Sequence, residues 1–226
     1  MTYVPPATRG AGELARWRAT VDEACRLVLS SLERMRGLID SFKQVAVDQT
    51  SERARRFDLR SYLEEVHDTL RPILKRSPHR LQIECSPGLE LDTYPGALFH
   101  ILTNLVNNSL IHGFGPDSRG NLRIEARDLG GNVELRYSDD GIGMPASVAE
   151  QVFEPFFTTR RGNGSSGLGL SIVYNLVTRK LGGRIRLETQ PGAGTVFVIE
   201  FPRQWAGREP PLRESQADLG AAAERD

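Results

Sequence analysis

The sequence predicts an α+β fold: a mixed sheet covered by helices in a two-layer sandwich, preceded by a long bundle-forming helix. Three observations predict it. Strand-like and helical runs alternate irregularly along the chain. Two hairpin signals stand at Gly130-Gly131 and at Pro191-Gly192-Ala193-Gly194, and hairpins mixed with helices argue for helices gathered on one face of a mixed sheet. The N-terminal region instead carries an apolar stripe at helix-on-helix spacing.

Taken in order, residues 1–12 contain Pro5, Pro6, Gly10 and Gly12 and read as an irregular lead-in. From Glu13 to Asp48 there is no proline, and Trp17, Val21, Ala24, Val28, Ser31, Met35, Leu38, Phe42 and Val45 recur at steps of four and three. A helix of about 35 residues would be about 50 Å long. So wide an apolar stripe needs a helical partner. A bundle between chains is favoured over packing on the chain's own domain. Residues 49–56 read as a polar connector. Asp58 is placed to cap a helix over Leu59 to Lys75. Leu81 to Cys85 alternates as a strand, and Pro95 opens a helix running to His112. Strands follow at Asn121–Arg127 and Val133–Ser138, then a glycine-dense stretch over 139–169 with a short helix near Ser147–Phe153. A helix from Gly167 to Leu181 stops at Gly182-Gly183. Arg184–Thr189 and Thr195–Phe201 form the last hairpin. The tail from Arg203 has the composition of a disordered segment.

Hydrophobic residues make up 39% and charged residues 26%, the profile of a globular domain. The formal net charge is zero, which gives no support to nucleic-acid backbone binding as the main task. No apolar run reaches the roughly 20 residues of a membrane span, and no secretion signal opens the chain. A soluble, cytoplasmic chain is expected, either on its own or as the cytoplasmic part of a longer membrane protein. Cys25 and Cys85 suggest a reducing compartment and buried, inert thiols.

Four segments carry the chemistry. Asn104 and Asn108 lie four apart on one helical face, and a carboxamide oxygen suits Mg²⁺. Asp139-Asp140-Gly141-Ile142-Gly143 follows a strand directly, so its carboxylate can take a hydrogen bond from an exocyclic amine such as adenine N6. Its glycines let backbone approach a flat ring. The stretch from Gly162 through Gly164 and Gly167 to Leu170 opens a helix, where exposed amides bind phosphate. It follows no strand and lacks a βαβ setting, which argues against a dinucleotide fold. No P-loop motif is present. The fourth segment, Gly192-Ala193-Gly194-Thr195, is by itself only a turn.

In this order the four segments resemble the Bergerat-type ATPase fold shared by gyrase B, the Hsp90 chaperones, histidine kinases and MutL. Glu154-Pro155-Phe156-Phe157-Thr158-Thr159 resembles the phenylalanine box of the histidine kinases, and GSSGLGLSIVYNLV looks like their form of the glycine lid. The resemblance covers residues 57–202 and implies an ATP-dependent protein-histidine kinase of two-component signalling, with a response-regulator receiver domain as partner. Carried over by motif, Asn108 would hold Mg²⁺ and Asn104 would lie near the phosphates. Gyrase and Hsp90 relatives place a glutamate base at the position of Asn104, so this departure favours phosphotransfer over hydrolysis. Ile111 stands where many kinases have a cation. His112 falls where an aromatic lines the nucleotide pocket. Asp139 would read adenine, with Gly141, Gly143 and Thr195 shaping the pocket. Thr158, Thr159, Arg160 and Arg161 start the lid, and either arginine could neutralise phosphate charge. Gly164, Gly167, Leu168 and Gly169 would offer amides to the phosphates.

Residues 13–50 look like part of a dimerisation and phosphoacceptor hairpin, implying a homodimer. The acceptor histidine of that hairpin is not found. His67-Asp68 imitates its pattern but lies after the bundle helix, on a helix preceding the sheet, with its arginine at 71. Three rival readings stay open: an ATPase of the gyrase and chaperone type, a nucleotide-sensing dimerisation module without kinase activity, and a serine kinase acting on a partner.

Overall fold

The computed structural model describes residues 16–26, 28, 53–115, 118–159 and 166–205. Residues 16–26 form helix α1, on which Trp17 and Val21 are exposed, as is Val28, which is also helical. The remainder of the expected 13–50 helix lies outside the described residues.

The centre of the fold is a five-stranded sheet: β2 (Arg80–Cys85), β4 (Asn121–Asp128), β5 (Asn132–Asp139), β6 (Arg184–Thr189) and β7 (Thr195–Pro202). Their order is β2-β4-β5-β7-β6. Only β2 and β4 pair in parallel, and the other neighbours are antiparallel. The sheet is therefore mixed, as expected. Each hairpin is joined where a glycine adopts positive φ, at Gly130 and Gly131 and at Gly192 and Gly194.

Alternation along the strands buries one face. On β5, Val133, Leu135, Tyr137 and Asp139 all point inward. They meet helix α2 (Leu59–Leu74) and helix α3 (Pro95–Asn108) through Leu63, Val66 and Leu70, and through Leu98, Ile101, Leu102 and Leu105. Asp58 caps α2 as expected, accepting from the Ser61 amide at 2.9 Å. Helix α4 (Ala146–Ala149) is one turn, and α5 (Gly169–Asn175) continues as a π-helical turn over Leu176–Lys180. A second π-helical turn, Ser109–Gly113, extends α3. The opposite sheet face stays wet behind charged pairs such as Arg123–Glu84 at 2.7 Å and Arg136–Glu188 at 3.2 Å. Exposed pairs of this kind contribute little stability each.

Four expectations need correction. The connector over 49–56 ends in a strand, β1 (Arg55–Asp58), which pairs with an unforeseen β3 (Glu90–Thr93). Phe57 stands opposite Leu91 in this pair and both are buried in the core, but each strand has only four residues, too few for the alternation to stand out in the sequence. The tail is pinned at its start: Arg203 bonds Asp128 at 2.8 Å, and the Trp205 amide donates to Asp92 at 2.8 Å. Trp205 also packs edge-on against Tyr94. Cys85 is buried, but Cys25 is exposed on α1. The lid helix begins at Gly169 rather than Gly167.

Candidate functional site

Asp139 ends β5 in a register that buries it, with 7% of its surface exposed. Burial raises its pKa, opposed by hydrogen bonds from Ser109 and from the backbone of Gly141 and Thr195, while nearby Asp140 pushes the same way as burial. Ser109 Oγ donates to Asp139 Oδ2 at 2.6 Å, and the Gly141 amide donates to Oδ1 at 3.1 Å. Tyr137 lies fully buried one pleat back on the same face and donates to Ser109 Oγ at 2.9 Å.

The loop after Asp139 is clamped from two sides. The Ile142 amide donates to the Gly113 carbonyl at 2.8 Å, which joins the loop to the end of the α3 turn. A Cβ on Gly141 would lie 2.1 Å from that same carbonyl, so only glycine passes there. On the other side, the Gly192 amide donates to Ile142 O at 2.7 Å, and Thr189 Oγ1 accepts from the Met144 amide at 3.0 Å. Gly143 has φ +62° and would drive a Cβ to 2.0 Å from Gln190 O. Thr195, paired with Asp139 across β5 and β7, is buried beneath this loop. The structure thus brings together Asp139, Gly141, Gly143 and Thr195.

A second group gathers around the helices. Asn104 and Asn108 are both half-buried on α3. Asn104 Nδ2 donates to His100 O at 2.8 Å. Its Oδ1 is thereby turned to the start of α5, 3.0 Å from where a Cβ on Gly169 would lie. His112 Nδ1 meets Thr159 Oγ1 at 3.5 Å, which links the α3 turn to the segment entering the lid. Thr158, Leu168 and Gly167 are half-buried, with Gly167 against the backbone of Phe156. Arg160, Arg161 and Gly164 lie outside the described residues.

Three contributors had no place in the sequence reading: Ser109, Tyr137 and Gly113. The signal for the first two was present. Ser109 follows Leu105 by four residues, so a hydroxyl occupies a core position of the helix. Tyr137 and Asp139 complete the inward row begun by Val133 and Leu135. Two polar groups in core registers call for a common partner.

Comparison with known proteins agrees with this geometry. The family described as Histidine kinase-, DNA gyrase B-, and HSP90-like ATPase matches residues 93–204. The sensor histidine kinase AruS of Pseudomonas aeruginosa is 36% identical over 173 residues, covering 71% of this chain and 17% of that protein. The sensor-like histidine kinase SenX3 of Mycolicibacterium smegmatis is 36% identical over 127 residues, covering 54% of this chain and 30% of that protein. The chain therefore spans less than a third of either curated relative. Among solved structures, the nucleotide-free catalytic domain of histidine kinase ThkA is 27% identical with a TM-score of 0.59, covering 67% of this chain and 97% of that one. With its mixed sheet, its ordered motifs and these relatives, the chain carries the ATP-binding catalytic domain found in the sensor histidine kinases.

Proposed function

We propose that the chain binds ATP with Mg²⁺ and presents the γ-phosphoryl group to a histidine outside these residues, for relay to an aspartate of a response regulator. The observation that carries this reading is the buried Asp139 carboxyl, oriented by Ser109 and the Gly141 amide beside glycine-lined backbone. Each carboxylate oxygen accepts one of these bonds and keeps acceptor capacity for an exocyclic amine. Gly141, Gly143 and Thr195 shape the base pocket around it.

The phosphate end suits Mg²⁺ held mainly through substrate oxygens. Asn108 would be its protein ligand, with Asn104 near the phosphates. Among the described residues there is no cluster of three or more His, Cys, Asp or Glu able to hold a metal. Mg²⁺ commonly takes one or two protein oxygens plus phosphates and waters. Bound there, it neutralises charge on the phosphate oxygens. Asn104 carries a carboxamide, which cannot act as a base, so it favours transfer over hydrolysis. His112 would line the nucleotide pocket, Thr158, Thr159, Arg160 and Arg161 would start the lid with an arginine neutralising phosphate charge, and the amides of Gly164, Gly167, Leu168 and Gly169 would donate to the phosphates. Catalysis by such a site is positioning and charge neutralisation.

The four histidines, His67, His79, His100 and His112, all fall between β1 and β4. None stands on residues 13–50, so the acceptor is assigned to a partner or to sequence beyond this chain. The exposed Trp17, Val21 and Val28 support a homodimer through the 13–50 helix. A receiver domain is the proposed partner, as ThkA has been solved in complex with the response regulator TrrA. No helix among the described residues is long and apolar enough to cross a membrane. A cytoplasmic site of action, without nucleic acid, is proposed.

Calorimetric titration of the chain with ATP and Mg²⁺ tests the reading. Binding is expected, with no strong acid-labile label after incubation with γ-labelled ATP. Absence of binding overturns the assignment, and strong self-labelling overturns the external acceptor.

A further inference from the structure

Asp139 is not held by backbone alone. A chain of two buried hydroxyls runs up to it from the core: Tyr137 Oη to Ser109 Oγ at 2.9 Å, then Ser109 Oγ to Asp139 Oδ2 at 2.6 Å. All three residues are buried, Tyr137 completely. The direction of donation follows from the chemistry at its two ends. An ionised carboxylate only accepts, so Ser109 must spend its one proton on Asp139. Its lone pairs then face Tyr137, whose phenol burial pushes far above its ordinary range, so that it remains a donor. Each hydroxyl thus fixes the rotor of the next.

We infer that Ser109, with Tyr137 behind it, is a positioning residue that holds Asp139 as a hydrogen-bond acceptor and so sets the preference for adenine over guanine. The inference rests on the proposal that Asp139 contacts the base. Adenine offers an amine at the position where guanine offers a carbonyl oxygen. A carboxylate accepts from the first and repels the second, whereas a neutral carboxyl can donate to the carbonyl. The protonation state of one buried acid therefore decides which purine it fits. The short bond from Ser109 is the side-chain contact that opposes neutralisation, since hydrogen bonds to a charged acceptor are about twice as strong as neutral ones.

The other groups around Asp139 do not replace this contact. Asp140, exposed and bonded to the Asn121 amide at 2.7 Å, adds negative charge and favours the neutral form. Gly141 and Thr195 contribute backbone only. Gly113 approaches the carboxyl with no side chain of its own. His112, on the same turn as Ser109, contacts Thr159. It is unchanged in every variant below.

The test measures ATP and GTP dissociation constants from pH 5.5 to 8.5 for the full chain with Mg²⁺. The proteins are wild type, Ser109→Ala, Tyr137→Phe and the double variant. Ser109→Ala alone strands the Tyr137 hydroxyl in the core, which costs stability. The double variant removes donor and acceptor together and keeps the experiment readable if the single variant unfolds. For Ser109→Ala and the double variant, ATP affinity is expected to fall on the order of tenfold at neutral pH. The midpoint below which ATP binding is lost should move up by about one to two pH units. Tyr137→Phe should move both in the same direction but less. The decisive signature is a GTP-to-ATP preference that rises as pH falls in the variants and stays low in wild type. A loss of affinity equal for both purines, with an unmoved midpoint, means a structural role and overturns the inference. So does wild-type behaviour in the double variant. Failure of wild type to bind ATP sinks the underlying proposal instead.

Discussion

The amide of Ile142 donates to the carbonyl of Gly113 at 2.8 Å, and this one bond ties the end of the α3 turn to the loop that follows Asp139. Residues 29 apart in sequence thereby hold the two sides of the acidic site at a fixed distance. The same carbonyl leaves no room for a side chain at Gly141, where a Cβ would lie 2.1 Å away.

Gly141→Ala should therefore break the joint rather than fill a gap. The colliding atom is backbone, so relief requires the loop or the turn to move. Overpacking of this kind costs about 1–3 kcal/mol. A lower melting temperature and at least a tenfold loss of ATP affinity are expected in a paired thermal melt and calorimetric titration. Unchanged affinity would mean that the joint does not shape the site.

Asp139→Asn should separate binding from stability. Burial raises the folded pKa of Asp139 above its unfolded value. The folded state therefore takes up a proton more readily than the unfolded state. The charged acid costs stability at neutral pH, and that cost fades as pH falls through the folded pKa. Asparagine carries no charge to bury. The variant should melt at or above wild type at pH 8, with the gap narrowing toward pH 5. Its ATP affinity should fall roughly tenfold to a hundredfold, as for loss of a hydrogen bond to a charged group. A variant that binds ATP normally would remove Asp139 from the base pocket.

Asp58→Ala tests the start of the ATP-binding domain. Its carboxylate accepts from the amide and hydroxyl of Ser61 at 2.9 and 2.8 Å. These bonds, the amide's first, hold its pKa below the ordinary value. Their contribution is present above the unfolded pKa and lost as pH falls through the lower folded one. Removing an N-cap costs about 1 kcal/mol. Chemical denaturation should show that loss at pH 7 and little difference from wild type in strong acid.

Trp205→Ala tests whether the pinned residues after β7 matter. Trp205 lies edge-on to Tyr94 at 5.2 Å, and Lys180 Nζ stands over the Tyr94 ring, 4.1 Å from its centroid. Aromatic pairs contribute about 0.5–1.5 kcal/mol beyond the area they bury. A stability loss of that order, without change in ATP affinity, is expected from denaturant titration. A loss of affinity would place the tail in the nucleotide site.

Much of the fold could be read without coordinates, and particular residues show why. Val133, Leu135, Tyr137 and Asp139 alternate, so β5 and its buried face follow from side-chain period alone. Pro95 at a helix start and glycine at both hairpins are likewise local chemistry. Strands β1 and β3 escaped because Arg55–Asp58 and Glu90–Thr93 become strands by pairing with each other, over a separation that no local pattern encodes. Trp205 was assigned to a disordered tail for the same reason: its order comes from Asp92 and Tyr94.

The sequence by itself determined the residue types of the site and their order: carboxamides on α3, a carboxylate at the end of β5, glycines where backbone must pass closely. These follow from spacing, which is a property of one segment at a time. Only the tertiary structure decided which segments meet. It set Ser109 between Tyr137 and Asp139, put the Gly113 carbonyl over Gly141, and turned Asn104 toward Gly169. Each of those contacts depends on the angle at which α3 lies across the sheet, and that angle is fixed by packing of the whole apolar face rather than by any single motif.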